Sequence, residues 1–119
     1  MDFEDLSQRE KEIVLDCMKA ILSGKFLWEI EISVRIGIEK HELEDVVRRW
    51  PRLSASNLID ALAIHGCMRD ARNDISDEKW PQWIRGSDNE VRSIMDKWNS
   101  MVDWQELREQ ETQTISTRL

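Results

Sequence analysis

Between Phe26 and Ile38 the residues Phe26, Trp28, Ile30, Ile32, Val34, Ile36 and Ile38 alternate with mostly polar neighbours. Taken alone, that period of two is the mark of a half-buried β-strand. A strand cannot satisfy its own backbone N–H and C=O groups, however, and no second stretch of the chain offers itself as a pairing partner. The segment is therefore expected to wind into a helix over about residues 27–36. With its strand candidate removed, the chain is expected to be all-α.

The flanking segments agree. Ile13, Val14, Cys17, Met18, Ile21 and Leu22 recur at helical spacing and form one apolar stripe. Ser7 and Glu10 have capping-box spacing ahead of it and Gly24 supplies a stop, so a helix is expected at about 8–23. Leu43, Val46, Val47 and Trp50 keep the same spacing from Glu39 to Trp50, where Pro51 ends the run. Ser54 or Ser56 opens a fourth helix that carries Leu58, Ile59, Leu62 and Ala63 to Gly66, after which Arg69 to Asp77 reads as a polar connection. Trp80 to Ile84 suggests a short helical turn. Ser87 and Glu90 repeat the capping-box spacing before Val91, Ile94, Met95, Trp98, Met101 and Val102. The expected architecture is a compact bundle of four to five helices, with a single helical domain over 1–111 and a frayed C-terminal tail at 112–119, where apolar anchors run out.

In the middle of the chain, Ser33 stands four residues before Gly37, and Ile32, Ile36, Ile38, Leu43 and Val46 fall at the inward positions of two helices joined by a turn. From Glu29 to Arg48 this spacing resembles the helix-turn-helix family. The resemblance implies DNA binding through outward residues of the second helix. Here those residues are Glu39, Lys40, His41, Glu44 and Asp45, mostly acids, whereas base edges and phosphates are read by Arg, Lys, Asn and Gln. Arg48, Arg49 and Arg52 follow at the C-terminal end, where they also suit the helix macrodipole. A helix-turn-helix-like shape without DNA-reading chemistry is expected.

Composition narrows the partners. The 119 residues hold 24 Asp and Glu against 17 Lys and Arg, a net charge of -7 that disfavours nucleic acid and anionic membranes. No apolar run approaches the roughly 20 residues of a membrane span and no signal-peptide pattern opens the chain, so a cytoplasmic protein with no membrane association is expected. In that compartment Cys17 and Cys67 read as reduced packing residues.

No phosphate-binding glycine loop, nucleophile elbow, zincin helix or paired CxxC occurs. His65 and Cys67 lie close in sequence, but His41 and Cys17 offer no recognisable spacing to complete a zinc site. Asp70, Asp74, Asp77 and Glu78 fail the calcium-loop spacing, with Arg72 at a ligand position. The chain is read as a non-enzyme with no cofactor or metal.

Six tryptophans and no tyrosine remain to be placed. Trp28, Trp50 and Trp98 fall on apolar helix faces and are expected in the core; Trp80, Trp83 and Trp104 are candidate interface anchors. Together with the acids Glu39, Glu42, Glu44 and Asp45 they form the candidate partner-binding set. The expectation is a small acidic protein-binding module that neutralises or adapts a basic protein partner, in the manner of immunity proteins or antitoxin-like inhibitors. A helix-turn-helix nucleic-acid regulator is the alternative.

Overall fold

A computed structural model describes residues 1–110, and every regular element among them is helical. A short 3-10 turn at Phe3–Asp5 precedes α1 (Gln8–Leu22), α2 (Glu29–Ile36), α3 (Lys40–Arg49), α4 (Leu58–Asp74), α5 (Trp80–Trp83) and α6 (Asp88–Met101). Residues 104–110 are helical again. The elements outnumber the four to five expected because short segments also wind. The Asp2 carboxylate caps the first turn by accepting from the Phe3 N–H, and Pro81 near the start of α5 has no N–H to leave unpaired. The expected tail at 112–119 lies outside the described residues.

Two starts follow the sequence closely. Ser7 Oγ accepts from the Glu10 N–H at 3.1 Å while the Glu10 carboxylate accepts from the Ser7 N–H at 2.9 Å. Ser87 and Glu90 form the same reciprocal pair at the start of α6. Between them α1 and α4 are the central pair; α3 and α6 each pack against both, while α2 packs on α4 and α3. Ile13, Met18 and Ile21 of α1 meet Ile64 and Met68 of α4, Leu43 of α3 and Trp98 of α6 in one buried cluster. The Trp98 indole N–H donates to the Ala61 carbonyl at 3.3 Å, so its polar atom is satisfied where its ring is buried.

The fourth helix departs from expectation. It runs through Gly66 to Asp74, so the presumed connection from Arg69 to Asp77 is helical as far as Asp74. Gly66 does not stop the helix because it seats a neighbour: a Cβ there would stand 2.7 Å from Ile36 Cγ2. The polar stretch stays helical because Ala71 is in the core and the buried Asp70 carboxylate is paired with Arg69 at 3.2 Å.

Gly37 does end α2, with a φ of 86° that other residues rarely adopt, and its N–H donates to the Ser33 carbonyl at 3.1 Å. Among the described residues no helix is long and apolar enough to cross a membrane.

Candidate interaction surface

The alternating stretch divides once it is wound. Ile32 and Ile36 turn inward and are almost fully buried, and Leu27 and Ile38 close the two ends of α2 against the core. Ile30 and Val34, one turn apart on the other face, are 70% and 79% exposed, and Trp28 at the N-cap is 74% exposed. The expected core position of Trp28 is thus overturned. Standing before the first helical residue in extended backbone, it points off the helix instead of along its apolar stripe. Apart from Met1, these three are the large apolar side chains that the described residues leave most open to water. The face is bare because α2 lies at the edge of the bundle, with α4 and α3 on its inner side.

Acids stand at both ends of this face. Glu29 is exposed in the first turn of α2, and Glu31 pairs with Arg35 at 3.3 Å. Beyond Gly37, Glu39 accepts from the Ser33 hydroxyl at 3.0 Å. Arg35, the cation of α2, is further held by Asp74 of α4 at 3.0 Å.

The acids singled out on α3 have local work. The Glu42 carboxylate accepts from the Glu39 N–H at 2.8 Å and caps the helix. Asp45 pairs with Arg49 at 2.8 Å and Arg48 at 3.7 Å. Glu44 is exposed. Arg49 also reaches the buried Asp60 carboxylate at 2.6 Å, and hydrogen bonds from Asp60 and then Asp45 hold its guanidinium above its already high proton affinity. Glu42 and Asp45 therefore line a mixed-charge groove with His41, Arg48 and Arg49.

The three candidate tryptophans are half-buried and lie apart from these acids. The Trp80 indole N–H donates to the Gly86 carbonyl at 2.7 Å. Trp83 meets the Phe26 ring edge-on at 5.3 Å, with the Lys25 ammonium 5.4 Å from its own ring centroid. Trp104 meets His65 edge-on at 5.6 Å. Trp83 and Trp104 line separate clefts, and neither shares the groove of Glu42 and Asp45.

Other chemistry is sparse. Cys17 and Cys67 are free thiols buried in the core, and burial pushes both proton affinities up, away from the nucleophilic thiolate. Among the described residues no three of His, Cys, Asp and Glu come together as metal ligands. Ile30 and Val34 escaped the sequence reading although the signal was present, because a period-two apolar pattern wound at the helical period must leave some of its members outside. Compared with protein-family models, curated proteins and solved structures, the chain matches none.

Proposed function

We propose that this protein is a binding module whose docking face is the outer side of α2, and that its partner is a basic protein presenting an apolar segment. The observation that carries the reading is the exposure of Trp28, Ile30 and Val34 on one short helix. Exposed apolar residues gathered in this way, rimmed by charge, mark interaction sites, and tryptophan is the residue most enriched among binding hot spots. The partner's charge follows from the surroundings: Glu29 and Glu39 stand at the two ends of the face, and the chain as a whole carries -7. Opposite charge on the partner would speed encounter, and burial of Trp28 would lengthen the life of the complex. Neutralisation or adaptation of a basic protein in the cytoplasm is the role this supports, now with Trp28, Ile30 and Val34 as anchors.

The helix-turn-helix pair enters as a second reading. The order α2, Gly37, α3 supports that description of the shape, while two of its cations favour the protein partner over nucleic acid. Arg35 and Arg49 are held by Glu31, Asp74, Asp45 and Asp60 and are poorly placed to meet phosphates.

A photo-crosslinking residue at position 30 or 34, used in the source cells, tests the main reading. Crosslinks to a basic protein from these positions, and none from the exposed position 100 on α6, are the expected result. Crosslinks only to nucleic acid, or none at all, would end it.

A further inference from the structure

A cleft of about 560 Å³ opens between α4, α6 and the helical residues 104–110, within the roughly 300–1,000 Å³ of small-molecule sites. Its apolar wall is Leu58, Leu62 and Trp104, all half-buried; its polar wall is His65, Arg69 and Asn99, with Arg108 contributed by residues 104–110. Among the described residues, two Arg and one His line it and no Asp or Glu does, in a protein whose net charge is -7.

Two of its polar atoms are unsatisfied. His65 Nδ1 and Asn99 Oδ1 are buried and neither completes a hydrogen bond within the protein, although Asn99 is close enough to raise the proton affinity of the imidazole. Burial first, and then Arg69, outweigh that effect and hold His65 below its ordinary value, so the ring is neutral at neutral pH. A buried polar atom without a partner costs free energy and calls for an explanation. An Nδ1–H, in the neutral Nδ1 tautomer or in the imidazolium, can donate to Oδ1, but only the imidazolium also offers Nε2–H to the cleft.

We propose that this cleft binds a small amphipathic carboxylate, with its hydrocarbon part against Leu58, Leu62 and Trp104 and its carboxylate accepting hydrogen bonds from His65 Nε2–H and Arg69. The charged groups facing the imidazole are Arg69 and Asp70 on α4 itself, with Arg108 lining the same cleft; α6 presents the uncharged Asn99. Arg69 is held in place by Asp70 at 3.2 Å through Nε and by the Arg35 carbonyl at 2.7 Å through Nη2. The ligand therefore meets a fixed guanidinium, which lowers the ordering cost of binding. Protonation of His65 on binding follows, with Nδ1–H donated to Asn99 and the proton taken from solvent.

Sodium 4-phenylbutyrate is a suitable probe, followed by proton NMR of the full chain at neutral pH, with exposed His41 as the internal reference. Saturable shifts of the His65 and Trp104 ring signals, with His65 moving toward the imidazolium position and His41 unmoved, are expected. The neutral amide of the same acid should bind about tenfold more weakly, the difference made by one charge-assisted hydrogen bond. Leu62→Trp, which fills the cleft from a half-buried position, should abolish the shifts, and Arg69→Gln should weaken them. Equal binding of acid and amide, shifts at Trp28 in place of Trp104, or no response at millimolar probe would each overturn the assignment.

Discussion

Ile36 packs directly on the backbone of Gly66: a Cβ added to the glycine would stand 2.7 Å from Ile36 Cγ2 and 3.2 Å from its Cβ. The contact sets how closely α2 approaches α4, and hence which side of α2 is left open. Gly66→Ala should destabilise the fold. Alanine gains about 1 kcal/mol of helix propensity, but crowding of a packed core costs about 1–3 kcal/mol, and a branched side chain on a buried helix has little room to yield. Shortening Ile36 to Ala in the same chain should recover part of that loss, so urea unfolding of the two single variants and the double variant should show a favourable coupling. A more stable Gly66→Ala protein would mean that the close approach is absent in solution.

How far this fold was legible depended on distance along the chain. The starts of α1 and α6 were readable because Ser7 with Glu10, and Ser87 with Glu90, complete their bonds within one turn. Gly66 was misread because the same residue ends a helix or seats a neighbour, and the choice rests on Ile36, which belongs to another helix. Arg69 to Asp74 read as a connection because its polar residues conceal one buried ion pair. The α3 acids were visible, but their engagement with Arg48, Arg49 and the cap of their own helix is a matter of tertiary geometry.

Arg49 and Asp60 should respond unequally to substitution. Asp60 is buried and accepts from Arg49 at 2.6 and 3.3 Å and from the Ser54 N–H at 3.1 Å, whereas the Arg49 side chain is 39% exposed. Arg49→Met strands a buried carboxylate, at a cost of about 3 kcal/mol, the lower end of the usual range because water reaches the arginine side. Asp60→Asn leaves a guanidinium that still has Asp45 and solvent, and should cost less. Urea midpoints of the two variants check the order; equal losses would contradict this asymmetry.

Acid should destabilise the protein in two steps. His65 binds protons less readily folded than at its ordinary value of 6.5, so the unfolded chain takes up more protons as pH falls through that value and stability declines. Lower down, the hydrogen bond from Arg72 holds Asp88 below its ordinary 3.8, and that from Arg9 holds Glu90 below 4.5. For Glu10 burial acts upward, but the hydrogen bonds from Lys97 and the Ser7 backbone prevail and leave it lowered. The stability contributed by these carboxylates is present above their ordinary values and is lost as pH falls through the lowered ones. Urea midpoints measured across the acid range should show both declines, and His65→Asn should remove the first while keeping the second.

The last expectation separates the two faces of one helix. Ile32 and Ile36 are buried, so replacing either with Ala should cost about 2–4 kcal/mol through lost burial and a residual cavity. Ile30 and Val34 lie in the same eight-residue element, yet each touches mainly water. Changing both to Gln should alter the stability of the isolated chain by no more than about 0.5 kcal/mol, the usual limit for surface substitutions. The same double variant should lose the protein partner, since the apolar anchors are gone while the fold remains. Binding and unfolding must therefore be measured on the same preparation, with the unfolding repeated over a range of protein concentration. A large stability loss that vanishes on dilution would place a second copy of this chain on the outer face of α2, and a large loss independent of concentration would mean that the face is covered from within. Only an unchanged stability with lost binding fits a face kept open for another protein.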